Sequence, residues 1–212
     1  MNNFKNLTNI NNYIQRFQNS ELKKELFLKA LLSNANEAVN KLKKLKDNSE
    51  FEEELKEWEG MMEVYFEPSD NSITIVDNGI GMNKEELNSF IEEQSSEKMQ
   101  ISLENHKISH KEVGLYFLFL IAKSVNIISK KVGDETAYKF NTKDLSTYTL
   151  APCINDEGSG TVIYIKLKDE FTKEFTTKEN IIAYINEFKD ELNNDLFISY
   201  YENFEEKIEK LN

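Results

Sequence analysis

Apolar side chains recur at steps of three and four residues between positions 20 and 46, a spacing typical of one face of an amphipathic helix. Ser20 is a suitable N-cap for this helix. Asn34 lies in the middle of this predicted row, which consists of Leu22, Leu26, Ala30, Asn34, Ala38, Leu42 and Leu45. A buried amide without a hydrogen-bond partner costs about 1–3 kcal/mol. The pattern therefore predicts either a hydrogen-bonded core amide or an amide that faces a ligand.

Alternating apolar and polar residues predict two strands at 62–67 and 73–76, joined by a turn at 68–71. The segment Asp77-Asn-Gly-Ile-Gly-Met82 follows the second strand. Asn83-Lys-Glu-Glu86 then has the form of a capping box, which predicts a helix running to about residue 93. The glycine turn therefore connects a strand to a helix.

Strand-like runs dominate the second half of the chain. The segment 113–122 is apolar on nearly all sides and predicts a buried helix. Gly133-Asp134 favours a hairpin between the first two of the strands that follow. The further predicted elements are strands at 125–131, 135–141, 146–151 and 161–168, a helix at 177–192, and an apolar run at 196–201 within the C-terminal tail.

Three segments are polar and weakly patterned: we interpret 1–12 as a loose arm, 48–59 as an acidic surface helix and 94–111 as a mobile loop or lid. The order of the elements is one helix, two strands, further helices and then several neighbouring strands. This order predicts an α+β fold, in which a mainly antiparallel sheet carries helices on one face. The 212 residues are interpreted as a single domain, 1–212.

Composition and charge narrow the classes of partner. The net charge of -12 argues against a nucleic-acid backbone or an anionic membrane, but not against a small phosphate ligand held by backbone donors. No stretch approaches the roughly 20 apolar residues that span a bilayer. Cys153 is the single cysteine, so no internal disulfide can form, and a reducing, cytoplasmic compartment is expected.

The glycine turn is the first candidate site. Asn-Gly is a strong hairpin signal, so a simple tight turn is one interpretation. The other is a binding site: the pair Gly79 and Gly81 would let the backbone approach a flat ligand closely. Asp77 at the strand end could then accept a hydrogen bond from an exocyclic amine.

Asn34, Gly114 and the Gly160-Thr161 pair are the other candidates. An amide oxygen near a carboxylate suits a hard cation such as Mg²⁺, and Gly114 at a helix start would offer free N–H groups to phosphate. Taken alone, each has a purely structural explanation: a core amide, a packing glycine and a loop.

The order and spacing of these motifs together resemble the N-terminal nucleotide-binding domain of the heat shock protein 90 chaperone family. That family belongs to the GHKL ATPase group, with gyrase B subunits, MutL and sensor histidine kinases. The matching stretches are Leu26–Lys41, Ile73–Met82, Val113–Ala122 and Gly160–Leu167. The resemblance implies the two-layer Bergerat fold, bound ATP or ADP with Mg²⁺, client proteins or co-chaperones as partners, and a monomer, because that family dimerises through a C-terminal domain.

The resemblance also implies roles for individual residues. Asp77 would bind the adenine amino group with Thr161 assisting through water, and Gly81 and Met82 would line the base. Asn34 would hold Mg²⁺ against the phosphates.

Other pocket positions follow from the same resemblance. Leu115, beside Gly114, would lie near the sugar and phosphates. Glu37 matches a family Asp on the pocket rim, and Lys41 lies one helical turn further on. Phe90 stands where the family has a polar ribose contact.

The departures from the family pattern concern hydrolysis. Ala30 stands where the family has the Glu that polarises the attacking water, and losing a positioned general base costs about 10²–10⁴ in rate. The lid stretch Glu92–Glu97 lacks the family's glycines and its phosphate-facing Lys, and Glu112 replaces a glycine. The adenine-binding side of the pocket therefore matches the family pattern better than the phosphate-binding side.

Three functions are compatible with the sequence. The first is a nucleotide-binding domain with impaired hydrolysis, the second a slow chaperone ATPase that needs other domains, and the third a nucleotide-free interaction module that kept only the fold. Ala30 and the altered lid favour the first over the second. The retained Asp77, Gly81, Asn34 and Thr161 favour it over the third.

Overall fold

A computed structural model describes residues 2–3, 26–46, 55–94, 118, 121–142, 147–155 and 158–212. The predicted arm beyond 2–3, the loop 95–111, and Gly114 with Leu115 lie outside the described residues. Within the described part, no helix is long and apolar enough to cross a membrane.

The described strands are β1 (Asn2–Asn3), β2 (Met61–Glu67), β3 (Ser72–Asp77), β4 (Ala122–Lys130), β5 (Ala137–Thr142), β6 (Thr147–Cys153), β7 (Gly160–Leu167), β8 (Asp195–Glu202) and β9 (Glu205–Lys210). They form one sheet in the order β1-β6-β5-β4-β7-β3-β2-β8-β9. Only β2 and β8 pair in parallel; every other neighbouring pair of described strands is antiparallel. The predicted α+β fold with a mainly antiparallel sheet is confirmed.

The α-helices with described bounds are α1 (Leu26–Lys46), α2 (Lys84–Gln94), α3 (Asp169–Phe175) and α4 (Lys178–Asn186). Leu118 and Ile121, which lie in the predicted buried helix 113–122, are also helical. Along β2, buried and half-buried residues alternate, because successive side chains point to opposite faces of a sheet. The buried face meets α1 in the core, where Phe27 lies edge-on to Phe175 of α3 with ring centroids 4.7 Å apart.

The buried stripe of α1 is wider than the sequence pattern predicts. Phe27, Leu31 and Val39, which lie off the predicted row, are almost completely buried. Asn34 and Ala38, which lie on the row, are half-buried. Helix α1 therefore presents one side to the core and a neighbouring side to a cavity, which is described below.

The prediction of an acidic surface helix at 48–59 is wrong in its described part. Residues 55–57 form a turn, and 58–60 are not helical. Leu55 is only 4% exposed and packs with Leu42 and Val132. Because most residues of this segment are charged, the sequence pattern does not show that Leu55, the one buried side chain of its described part, packs against the core.

Two C-terminal elements are absent from the sequence prediction. The predicted helix at 177–192 consists of α4 followed by a 3-10 turn at Lys189–Glu191, and the short helix α3 precedes it. Strand β9 has the almost entirely polar sequence Glu-Glu-Lys-Ile-Glu-Lys because it is an edge strand whose residues are mostly exposed. Pairing with β8 stabilises it, and the Lys178 ammonium donates to Glu209 of β9.

Candidate functional site

A cavity of about 420 Å³ lies between α1, α2 and the sheet. Most of its wall is apolar, contributed by Leu31, Ala35, Ala38, Ile75, Ile80, Met82, Phe90 and Ile163. The remaining lining residues are Asn34, Glu37, Lys41, Asp77, Gly81, Glu86, Lys131 and Thr161. An apolar cavity of this size with a few convergent polar groups is typical of a small-molecule site.

Asp77 lies at the end of β3, where the strand leaves the sheet, and is 9% exposed. Its Oδ1 accepts a hydrogen bond of 2.9 Å from the Gly79 N–H, and its carboxyl also accepts from the Thr161 N–H. Burial raises the pKa of Asp77 to about 7, although both N–H donors act in the opposite direction. A buried acceptor in an apolar wall suits a ligand that brings a hydrogen-bond donor.

Ser129 of β4, which is completely buried, connects three parts of this site. Its Oγ accepts from the Met82 N–H at 2.9 Å, lies 3.1 Å from the Gly160 carbonyl oxygen and lies 2.9 Å from Oγ1 of Thr161. The sequence interpretation misses Ser129, because a serine within an alternating strand carries no local signal of a contact made 32 residues away.

The glycines of the turn lie close to the backbone of other parts of the chain, a structural role that the sequence interpretation does not include. Gly81 has φ +64°, and a Cβ there would lie 1.8 Å from the Lys130 carbonyl oxygen. A Cβ on Gly79 would lie 2.4 Å from the carbonyl carbon of Ala38. Gly81 still lines the cavity, but the close approach that it permits is between two backbones.

Backbone hydrogen bonds connect the turn to its neighbours. The Ile80 N–H donates to the Ala38 carbonyl oxygen of α1 at 3.1 Å, and the Val132 N–H donates to the Ile80 carbonyl oxygen at 2.9 Å. The Asn78 side chain accepts from the Met61 N–H at 2.8 Å. Helix α1, the turn and the loop after β4 therefore form one continuous frame around the cavity floor.

Asn34 lies on α1 and is half-buried, with its side chain on the cavity wall. Its amide has no hydrogen-bond partner in the part of the chain that the structure describes, so the interpretation of Asn34 as a satisfied core amide lacks support. One turn earlier, Ala30 is completely buried and is not among the described residues that line the cavity.

Two ion pairs border the cavity. On successive turns of α1, Nζ of Lys41 lies 3.1 Å from Oε1 of Glu37. The Lys131 ammonium contacts the Glu86 carboxylate. Glu86 also accepts from the Asn83 N–H at 3.0 Å, while the Asn83 Oδ1 accepts from the Glu86 N–H at 2.9 Å. The predicted capping box is thus confirmed, and it holds Glu86 at the cavity, where the ion pair brings in Lys131. The sequence predicts neither residue as part of the cavity lining.

Comparison with known proteins identifies the group. A family profile described as "Histidine kinase-, DNA gyrase B-, and HSP90-like ATPase" matches residues 31–161, more than half of the chain. The chain belongs to this ATPase family. The matched range contains the whole glycine turn and ends at Thr161, so all the described lining residues except Ile163 fall within it.

Relatives of this HSP90-like ATPase domain are chaperones. Chaperone protein HtpG of Aliarcobacter butzleri (strain RM4018) is 34% identical over 198 residues, which cover 87% of this chain and 30% of the relative. HtpG of Sulfurovum sp. (strain NBC37-1) is 36% identical over 189 residues, covering 84% and 30%. HtpG of Clostridium botulinum (strain Okra / Type B1) is 36% identical over 179 residues, covering 76% and 28%. The chain thus spans about 30% of the length of these relatives.

The fold brings together most of the residues that the sequence singles out in this HSP90-like ATPase domain. One cavity is lined by Asn34, Glu37, Lys41, Asp77, Gly81, Met82, Phe90 and Thr161. Gly114 and Leu115 lie outside the described residues, so their predicted place near the sugar and phosphates remains a prediction.

Proposed function

We propose that this domain binds ATP or ADP in the cavity at Asp77 and hydrolyses ATP very slowly or not at all. The observation that carries the proposal is the buried carboxyl of Asp77 on the floor of an apolar cavity. A carboxylate there can accept from the amino group of adenine while Met82 and Ile163 contact the flat faces of the ring. The HtpG relatives support a role of the domain in a chaperone, with client proteins or co-chaperones as partners.

The phosphates would extend towards Asn34. The Asn34 amide oxygen would hold Mg²⁺, which prefers oxygen ligands and usually keeps several waters. No cluster of three or more His, Cys, Asp or Glu side chains suitable for a metal occurs among the described residues. A single amide ligand therefore fits a metal that arrives with the nucleotide better than a resident ion. When bound, Mg²⁺ would neutralise phosphate charge.

Slow hydrolysis follows from the carboxylates that line the described part of the cavity. Glu37 and Glu86 are engaged in ion pairs with lysines, and Asp77 is hydrogen-bonded at the floor. None of the three occupies the place of Ala30, one turn before Asn34 on α1. An alanine methyl cannot take a proton from water, and a missing general base lowers the rate about 10²–10⁴-fold.

The binding proposal predicts that ADP with Mg²⁺ stabilises the domain. At a concentration of 100 times Kd, a ligand adds about 2.7 kcal/mol, which corresponds to roughly 5–10 °C in Tm for a chain of this size. Asn34→Ala should reduce the shift and its dependence on Mg²⁺. Asn36→Ala is the matched control: its amide is bonded to Asn194 and is not among the cavity-lining residues, so stability should fall while affinity stays unchanged. No shift at millimolar ADP would favour a nucleotide-free interaction module.

The hydrolysis proposal predicts no ATP turnover by the domain above the buffer background. Turnover that Asn34→Ala abolishes would contradict it and favour a slow ATPase. Ala30→Glu tests the cause, with Ala30→Gln as a control of equal size that cannot act as the base. Because Ala30 is completely buried, both variants should be less stable, so phosphate release is compared at matched folded fractions. Turnover in the Glu variant alone would show that the missing base is limiting.

A further inference from the structure

The completely buried hydroxyl of Ser129 has a geometry that bears on which base the cavity accepts. Three polar groups surround it within hydrogen-bond distance: the Met82 N–H, the Gly160 carbonyl oxygen and the Thr161 hydroxyl. Of these three polar groups, only the Thr161 hydroxyl belongs to a side chain, and Thr161 lines the cavity and is 6% exposed. The orientation of the Ser129 hydroxyl therefore decides what Thr161 presents to a ligand.

A count of protons selects one arrangement. A serine hydroxyl has one proton and two lone pairs, and the Met82 N–H occupies one lone pair. If Ser129 donates to the Gly160 carbonyl, its second lone pair accepts the Thr161 proton, and every donor has an acceptor. If Ser129 donates to Thr161 instead, the Thr161 proton has no acceptor among the described residues. The first arrangement contains one more hydrogen bond within the protein, which contributes to stability, so it is favoured.

In that arrangement the Thr161 oxygen directs lone pairs, and no proton, towards the cavity. Asp77 and Thr161 face each other in register on β3 and β7. When Asp77 is ionised, the polar floor between these two residues consists of acceptors alone. Such a floor pairs with an amino group, or with a water that donates to it, and it rejects a carbonyl oxygen.

We propose that Ser129 is a positioning residue that holds Thr161 as a hydrogen-bond acceptor and thereby selects a 6-aminopurine over a 6-oxopurine. This inference rests on the proposed nucleotide site and identifies a residue that sets its base specificity. Ser129 is not among the described residues that line the cavity, and it sets the polar group that faces the ligand through Thr161.

The test compares the affinities of ADP and IDP, which differ in the 6-amino and 6-oxo groups, by calorimetry. The wild type should prefer ADP by about 10⁴-fold or more, the order of magnitude for a site whose buried polar groups would be left unpaired by the wrong ligand. In Ser129→Ala the Thr161 hydroxyl is free to turn and donate to the 6-oxo group, so the preference should shrink at least about tenfold. Ser129→Thr keeps the hydroxyl and should keep the preference.

Ser199→Ala is the matched control, because Ser199 is also completely buried on a strand but bonds to Glu63, away from the cavity. Its ADP to IDP ratio should equal that of the wild type. A Ser129→Ala domain that loses Tm but keeps the wild-type ratio would overturn the proposal and leave Ser129 a purely structural residue.

A wild-type domain that binds neither nucleotide would refute the proposed function, and the hydroxyl arrangement is then tested without a ligand. By NMR, the Thr161 hydroxyl proton should exchange slowly in the wild type and rapidly in Ser129→Ala. Rapid exchange in the wild type would overturn the arrangement itself.

Discussion

Asp77→Asn is expected to weaken nucleotide binding and, above about pH 7, to raise the stability of the ligand-free domain. Binding weakens because an amide cannot accept as strongly as a carboxylate, and its NH₂ group would face the adenine amine. A hydrogen bond to a charged partner contributes about 1.5–3 kcal/mol, so ADP affinity should fall at least about tenfold. Stability rises because the variant no longer buries an ionised carboxyl.

The stability gain has a defined pH dependence. The pKa of Asp77 is about 7 in the folded domain and 3.8 ordinarily, so the folded state binds more protons between these values. The stability contributed by this group is fully present below about pH 4 and is lost as the pH rises towards 7. At 1.36 kcal/mol per unit of pKa, the loss amounts to roughly 4 kcal/mol. Asp77→Asn should show no such loss, and wild-type ADP affinity should decrease below about pH 7 as the carboxyl becomes protonated.

Urea unfolding of both proteins between about pH 5 and pH 8 measures this difference. Asp70→Asn is a control for which the opposite change in stability is expected, because hydrogen bonds from Lys166 and Tyr164 lower the pKa of Asp70. That variant should lose stability at neutral pH and retain ADP binding. A difference in unfolding free energy between wild type and Asp77→Asn that does not change with pH would contradict the assignment.

Gly81→Ala is expected to destabilise the domain by more than about 3 kcal/mol, or to prevent folding. Its φ of +64° alone costs an alanine about 1–2 kcal/mol. The added Cβ would also lie 1.8 Å from the oxygen and 2.6 Å from the carbon of the Lys130 carbonyl, so β4 would have to move. Ser129 precedes Lys130 and accepts a hydrogen bond from the Met82 N–H. Such a movement would therefore also break this contact between β4 and the glycine turn.

Gly158→Ala is the matched control, because nothing lies within 4 Å of a Cβ at Gly158. Its urea midpoint should lie within a few tenths of a mole per litre of the wild-type midpoint, since surface substitutions usually change stability by no more than about 0.5 kcal/mol. Its ADP binding should be unchanged. The prediction for Gly81 fails if Gly81→Ala unfolds at the same urea concentration as the Gly158 variant.

The sequence predicts much of this fold because the hydrophobic periodicity is local. Helix α1, strands β2 and β3, and the capping box of α2 all have patterns that can be recognised over a few residues. The failures have physical causes. The turn at Leu55 depends on one apolar contact within a charged segment, and β9 has the polar composition of an edge strand, which pairing with β8 stabilises.

The site was predictable to the extent that its residues cluster in motifs. Asn34, Asp77 and Thr161 occur in three recognisable stretches, and the fold brings them to one cavity. Ser129 and Lys131 could not be found in this way. Their contacts, to Thr161 and to Glu86, join residues 32 and 45 positions apart and exist only once β4 lies beside β7 and α2.

The frame that connects α1, the glycine turn and the loop after β4 uses the main-chain groups of Ala38, Ile80 and Val132. Every amino acid except proline supplies the same N–H donor and carbonyl acceptor. Side chains at these three positions can therefore be exchanged without removing the bonds that set the spacing of helix and sheet. Substitutions at Ala38 and Ile80, which line the cavity, can therefore change which ligand it recognises while the spacing of helix and sheet is retained.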